Sequence, residues 1–176
     1  MQVILLCGKA KNGKSTFGNF VKEAYEKKGK KVCMLEYSDY IRYYIMKYFG
    51  WDGDENNKPR EFMQQLSTEI IRKQIDPDFL VRRAIEDLKV LSFFFDVAIL
   101  SGVREEKEIT LPKKEFKDCL SVQVVRTDFD NELSERAKKH YTETALDNYH
   151  DYDYVIENNG TLEDLKKSAE KFVEEV

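Results

Sequence analysis

Apolar and polar positions alternate between two patterns along this chain, short solid apolar runs and longer helical stripes. Met1–Cys7 is apolar throughout after Gln2, as a strand buried on both faces would be. Ser15–Lys28 carries Phe17, Phe20, Val21, Ala24 and Tyr25 on one helical stripe, with a lysine-rich end and Gly29 as its stop. Val32–Tyr37 is a second strand candidate. Asp39–Phe49 and Pro59–Ile75 read as helices around a polar, turn-prone stretch, Asp52–Lys58, with Pro59 as an early helical residue. Asp76 can cap a further helix that has Pro77 at its first position and Phe79, Leu80, Ala84, Ile85 and Leu88 as its stripe. Val97–Leu100 is an unbroken apolar run fit for a central strand. Leu120–Val125 is the fourth strand, Asn131–His140 a charged helix and Tyr154–Ile156 a short fifth strand. Thr161–Val176 closes the pattern as an amphipathic helix, in which Thr161 and Asp164 have the spacing of a capping box.

Strands that alternate with helices imply an α/β domain, a parallel sheet covered on both faces and linked by right-handed crossovers. A chain of 176 residues suffices for one core and falls short of two ordinary domains, so 1–176 reads as a single unit. Charged residues make up 35% and the apolar set 41%, a soluble composition with no stretch long enough to cross a bilayer. The 29 basic and 33 acidic residues leave a net charge of −4, which argues against a nucleic-acid polymer as partner. The apolar start has no basic residues before it and no small-residue cleavage site after it, so it reads as a strand and not a leader. The three cysteines, Cys7, Cys33 and Cys119, fit neither a disulfide framework nor a zinc site, and suit a reducing cytoplasm.

In an open parallel sheet the ligand lies beyond the carboxyl ends of the strands, so the residues after each strand carry the chemistry. After the first strand stands Gly8-Lys9-Ala10-Lys11-Asn12-Gly13-Lys14-Ser15-Thr16, a G-x-x-x-x-G-K-[ST] phosphate loop between a strand and a helix. Gly8 and Gly13 let backbone N–H groups turn inward around phosphate oxygens, with Lys11 and Asn12 in the loop between them. The helix start beyond adds its positive dipole end through Lys14, Ser15 and Thr16. Lys14 brings a point charge to the terminal phosphates of ATP, and the Ser15 hydroxyl can ligate Mg²⁺. Lys9 and Lys11 either reinforce that field or are simply solvated.

A GTPase would carry an N-K-x-D tetrad after a strand; Asn57-Lys58-Pro59-Arg60 lacks the aspartate. Helicase and transporter ATPases are usually longer. A small kinase fits better, and it must gather arginines around two phosphorylated ligands. Candidates are Arg104 after the third strand, Arg126 at the end of the fourth, Arg136 in the charged helix, Arg72 in the long helix and Arg42 beside Asp39. Each is otherwise a surface ion pair. Asp39 either caps the helix at Tyr40 or orients the acceptor or metal shell. His140 and His150 lack further ligands for a metal site, and read as solvated or capping residues. The dense aromatic group around Tyr37, Tyr40, Tyr43, Tyr44 and Trp51 is either a packed helix face or, at Tyr37 or Tyr40, a platform for a base.

Several segments, in order, resemble the deoxynucleoside monophosphate kinases of phages and bacteria. They are Gly8–Thr16, Leu66–Leu80, Ile99–Arg104, Val124–Arg126, His140-Tyr141-Thr142-Glu143, Leu146-Asp147-Asn148-Tyr149 and Tyr152–Leu162. Animal-type phosphomevalonate kinases share a related order, with Asp76-Pro77-Asp78-Phe79 as a D-P-x-F-like turn. The resemblance implies a three-layer P-loop kinase fold, a five-stranded sheet in the order 2-3-1-4-5, and a lid near 126–143 that bears Arg126, Arg136 and His140. It implies ATP with Mg²⁺ as donor. It also implies a small phosphorylated acceptor, a (deoxy)nucleoside monophosphate, met by Asp39, Tyr40, Arg42, Arg72 and Arg104. Lys14, Arg104, Arg126 and Asp39 would then be the catalytic set. Gly102 departs from the family pattern, which has aspartate there. Two other readings stand beside this one, a kinase of another phosphorylated metabolite and a non-catalytic nucleotide-binding regulator. Oligomeric state is left open.

Overall fold

The computed structural model describes residues 1–127 and 141–176. Five strands, β1 (Gln2–Cys7), β2 (Val32–Glu36), β3 (Val97–Val103), β4 (Cys119–Val125) and β5 (Tyr154–Glu157), form one parallel sheet in the order β2-β3-β1-β4-β5. This is the order expected from the family resemblance. The expected helix at 131–140, with Arg136, His140 and most of the lid, lies outside the described residues.

Strand β1 is central and buried from Val3 to Cys7. Its side chains alternate between two cores. Val3, Leu5 and Cys7 face α2 (Ser38–Phe49), α4 (Phe79–Leu91) and α5 (Lys107–Glu115) through Ile41, Ile45, Ala84, Leu88 and Ile109. Ile4 and Leu6 face α1 (Lys14–Lys27) and the C-terminal helix α6 (Leu162–Glu175) through Phe17, Val21, Ala169 and Phe172. Phe172 locks that second layer, with its ring 6.0 Å from Phe17 and 5.0 Å from Tyr154. The capping box at the start of α6 is present, since Thr161 accepts from Asp164 N–H and Asp164 accepts from Thr161 N–H.

Three local expectations are corrected, and one helix is added. The segment after β3 forms α5, for which the sequence offers little stripe: Pro112 stands inside it and its buried positions include the charged Glu108. The long helix from Pro59 is split. A short α3 (Arg60–Gln64) continues as an 11-residue π-helix, Gln65–Ile75, whose wider turn shifts the face presented by Thr68, Ile71 and Arg72. Helix α4 starts at Phe79 and not at Pro77; Asp76 instead accepts from Asp78 N–H at 2.9 Å in the preceding turn. Helix α2 starts at Ser38, so Asp39 sits inside its first turn and not at its cap.

Cys7, Cys33 and Cys119 are all free thiols. Burial pushes the Cys119 thiol up to about 12, so it is held protonated. Among the described residues no helix is long and apolar enough to cross a membrane.

Candidate active site

The loop between β1 and α1 is shaped by three left-handed residues, Gly8 at φ 132°, Lys11 at φ 62° and Gly13 at φ 90°. Two of them leave no room for a side chain. A Cβ on Gly8 would lie 2.4 Å from the Val124 carbonyl oxygen, and one on Gly13 would lie 2.4 Å from Asn158 Nδ2. The loop is therefore clamped against the ends of β4 and β5. Asn12 Nδ2 donates to Val124 O at 3.1 Å, and Asn158 Nδ2 donates to Asn12 O at 3.0 Å. The β5 end is tied in turn, as Asn158 N–H donates to Val125 O at 2.7 Å and Thr127 N–H to Asn159 Oδ1 at 2.9 Å. Asn158 and Asn159 were not named as site residues. Both fall in the Tyr152–Leu162 segment that carries the family resemblance, just after a short strand.

No side chain caps α1, whose N-cap is Gly13. Its first N–H groups and dipole end are thus offered to whatever the loop encloses, in contrast to the fully capped α6. Lys14 arches over the loop, its Nζ donating to Lys9 O at 2.7 Å. Ser15 is exposed and Thr16 half-buried in the first turn of the helix. Lys9 pairs with Asp147 at 2.8 Å, which joins the loop to the segment ahead of β5.

The loop opens onto a cleft of about 460 Å³. Gly8, Lys9 and Asn12 line it from the loop, Arg104 and Arg126 from strand ends, Gln123 from β4, and Leu146–Tyr152 contributes Asp147, Tyr149, His150 and Tyr152. The site is thus assembled from the carboxyl ends of β1, β3 and β4, as the topology requires. Arg104, Arg126 and the phosphate loop, far apart in sequence, meet here.

The turn that carries Arg104 has its own support. The β1–β3 register slips between Leu5↔Leu100 and Cys7↔Val103, which puts a bulge in β3 at Ser101-Gly102. Gly102 has φ 76°, the left-handed region that glycine adopts without strain. Gly102, where the resemblance leads one to expect aspartate, is thus the residue that turns β3. Next to it Glu108, only 3% exposed, accepts from Arg104 N–H at 2.6 Å and binds Arg72 Nη2 at 2.6 Å. Arg72 Nε pairs with Glu105 at 2.5 Å, and its Nη1 donates to Ser67 O at 3.3 Å. Burial holds the Glu105 carboxyl above its ordinary value, against the pull of Arg72.

The structure thus separates the residues expected around the acceptor. Arg104 lines the cleft, whereas Arg72 is buried with every guanidinium nitrogen engaged by protein, and it ties the π-helix to the β3–α5 turn. Tyr40 donates to Asp87 at 2.7 Å, and Arg42 pairs with Glu55 beside the Trp51 ring. Asp39 accepts from Glu36 N–H at 2.7 Å, and burial holds its carboxyl above the ordinary value. Tyr37 is core, its hydroxyl donating to Glu108 O. The aromatic groups that do line the cleft are Tyr149 and Tyr152, on a segment the sequence marks only by resemblance.

The family model for deoxynucleotide monophosphate kinase matches residues 29–169, most of the chain. This chain belongs to the deoxynucleotide monophosphate kinase family. It is a P-loop kinase with a nucleotide-binding loop, and that loop, at 8–16, precedes the matched span and stands on its own sequence and geometry. Solved structures share the fold. An APS kinase CysC of Mycobacterium tuberculosis, in complex with AMPPNP and APS, is 14% identical with a TM-score of 0.60, over 99% of this chain and 98% of that one. Shikimate kinase from Aquifex aeolicus is 16% identical with a TM-score of 0.54, over 99% and 97%.

Proposed function

We propose that this kinase uses Mg²⁺ and ATP to phosphorylate a (deoxy)nucleoside monophosphate to the diphosphate. The observation that carries the reading is one cleft lined both by Gly8, Lys9 and Asn12 of the phosphate loop and by Arg104 and Arg126. Phosphoryl transfer asks little covalent chemistry of a protein; it asks for in-line positioning and neutralisation of the charge on the transferring group. Lys14 and the N–H groups of Gly8–Thr16 hold the donor phosphates. Arg104 and Arg126 face the phosphoryl group in flight and the acceptor phosphate.

The donor set suits Mg²⁺. Among the described residues no three acidic, histidine or cysteine side chains gather into a metal cage. Mg²⁺ at a kinase keeps several waters and takes its other oxygens from phosphates and one or two protein groups. Ser15, exposed at the loop mouth, would be that group. Asp39 is tied to Glu36 N–H, and serves here as support for the β2–α2 turn. A cytoplasmic setting, where thiols stay reduced, suits the three free cysteines.

The test is ADP release from ATP and Mg²⁺ with each common ribo- and deoxynucleoside monophosphate, and with phosphomevalonate. Turnover with a nucleoside monophosphate, lost in Lys14→Ala and kept in Asp39→Asn, is expected. Turnover with phosphomevalonate alone would reject the acceptor class. ATP binding without transfer to any acceptor would make the chain a regulator.

A further inference from the structure

The cleft has an end that phosphate chemistry leaves unused. Tyr149 and Tyr152 also line the cleft, ring centroids 4.9 Å apart and nearly perpendicular. The hydroxyl of Tyr149 donates to Asp151 O at 3.0 Å, which fixes that ring against its own turn. The same lining includes Gln123. It sits on β4, in register with Cys7, the residue before Gly8, and with Val155 on β5. Gln123 is half-buried, and its side-chain amide has no hydrogen-bond partner among the described residues. Tyr152 is likewise half-buried with no partner for its hydroxyl among them.

An amide with no protein partner in a cleft wall is available to a ligand, whose polar edge can take the place of water. A primary amide presents a donor and an acceptor side by side, the pattern that pairs with the edge of a nucleobase. Aromatic rings beside it offer a face or edge to a planar ring. An aliphatic phosphorylated acceptor would use neither.

We propose that Gln123, Tyr149 and Tyr152 form the base-reading wall of the acceptor site, with the acceptor phosphate toward Lys9, Arg104 and Arg126. The proposal rests on the nucleoside monophosphate reading above and adds to it which residues set base preference. They are not Tyr37 and Tyr40, whose hydroxyls are spent on Glu108 and Asp87. Gln123 discriminates between bases because a mismatched edge leaves its amide unpaired. Tyr149 and Tyr152 hold any base, because every base has a π-face.

The test compares wild type, Gln123→Leu, Gln123→Glu and Tyr152→Leu. It measures kcat/KM for dAMP, dGMP, dCMP and dTMP at saturating ATP, and the binding of each monophosphate by titration calorimetry without ATP. Gln123→Leu should shrink the spread between best and worst base by about tenfold, mainly through loss of the best one. Gln123→Glu, which keeps the shape and loses the donor, should reorder the bases. Tyr152→Leu should raise KM for all four by about tenfold. Thermal melts confirm that each variant is folded, and Gln123→Glu carries the test should the leucine variant not be. An unchanged base ranking in both Gln123 variants overturns the base-reading wall and leaves the kinase reading standing. Base-dependent binding that disappears in Gln123→Glu, without turnover in the wild type, keeps the wall and rejects the kinase reading. Equal loss for inorganic phosphate and for all four monophosphates would make Gln123 a phosphate contact, and also overturns it.

Discussion

At the scale of single residues, backbone conformation explains a departure that side-chain chemistry does not. Gly102 stands where the family resemblance leads one to expect aspartate, and its φ of 76° shows what the position demands of the backbone. Space is not the limit, since a Cβ there would meet nothing closer than Tyr37 N at 3.6 Å. The cost of substitution is therefore conformational. Gly102→Ala should lose about 1–2 kcal/mol, and Gly102→Asp should lose less than alanine, because a short polar side chain tolerates the left-handed region. Chemical denaturation of the three proteins checks this. An alanine variant as stable as the aspartate variant would show that the bulge relaxes. The arginines carry a similar lesson. Arg72 and Arg104 both fit a phosphate in sequence, yet the buried carboxylates of Glu105 and Glu108 take Arg72, and Glu108 fixes the backbone of Arg104 beside it. Breaking such a buried pair from one side costs about 3–5 kcal/mol, so an Arg72 variant reads out folding before it reads out catalysis.

At the scale of elements, the approach of β5 to β4 decides where the cleft's aromatic wall stands. Strand β5 has only four residues, and its entry is fixed by Asp153. The Asp153 carboxylate accepts from Ser121 N–H at 2.6 Å and from Ser121 Oγ at 2.8 Å, and pairs with Lys113 on α5 at 2.6 Å. Partial burial pushes its carboxyl up, but the Lys113 and Ser121 hydrogen bonds win and hold it below its ordinary value of 3.8. A carboxyl depressed in the folded state adds stability that is fully present above its unfolded value and is lost as pH falls through the folded one. Asp153→Asn should therefore lower the denaturation midpoint at neutral pH, and the gap to wild type should close below about pH 4. A gap that stays constant down to strongly acid pH would mean that the ionised form contributes nothing.

At the scale of the whole molecule, the sheet brings the ends of β1, β3 and β4 to one cleft, and ligand binding should be felt as global stability. Nucleotide at about one hundred times its dissociation constant adds about 2.7 kcal/mol to the folded state. For a chain of this size that raises Tm by roughly 5–10 °C. ATP with Mg²⁺ should produce that rise in wild type and little of it in Lys14→Ala, whose own Tm should be near normal because Lys14 packs into neither core. An equal rise in both proteins would remove Lys14 from the phosphates. The strands themselves, both apolar faces of β1 and the phosphate loop were legible along the chain, because each is a local pattern: a solid apolar run, a helical stripe, or two glycines five residues apart before Lys14-Ser15; the order of the strands came only with the family resemblance. Helix α5 was not legible, because its buried face is made of Glu108, Ile109 and Pro112, and the charge is explained only by Arg72 from another element. The π-helix and the bulge at Gly102 were hidden for the same reason, since both are set by what packs against them. Sequence by itself determined the α/β class and the residues able to hold phosphate. Only the tertiary structure decided which arginines reach the cleft, that Asn158 clamps the loop, and that Gln123 lines the same cleft as Tyr149 and Tyr152. These residues come together from distant parts of the chain, and no local periodicity encodes a distance in space.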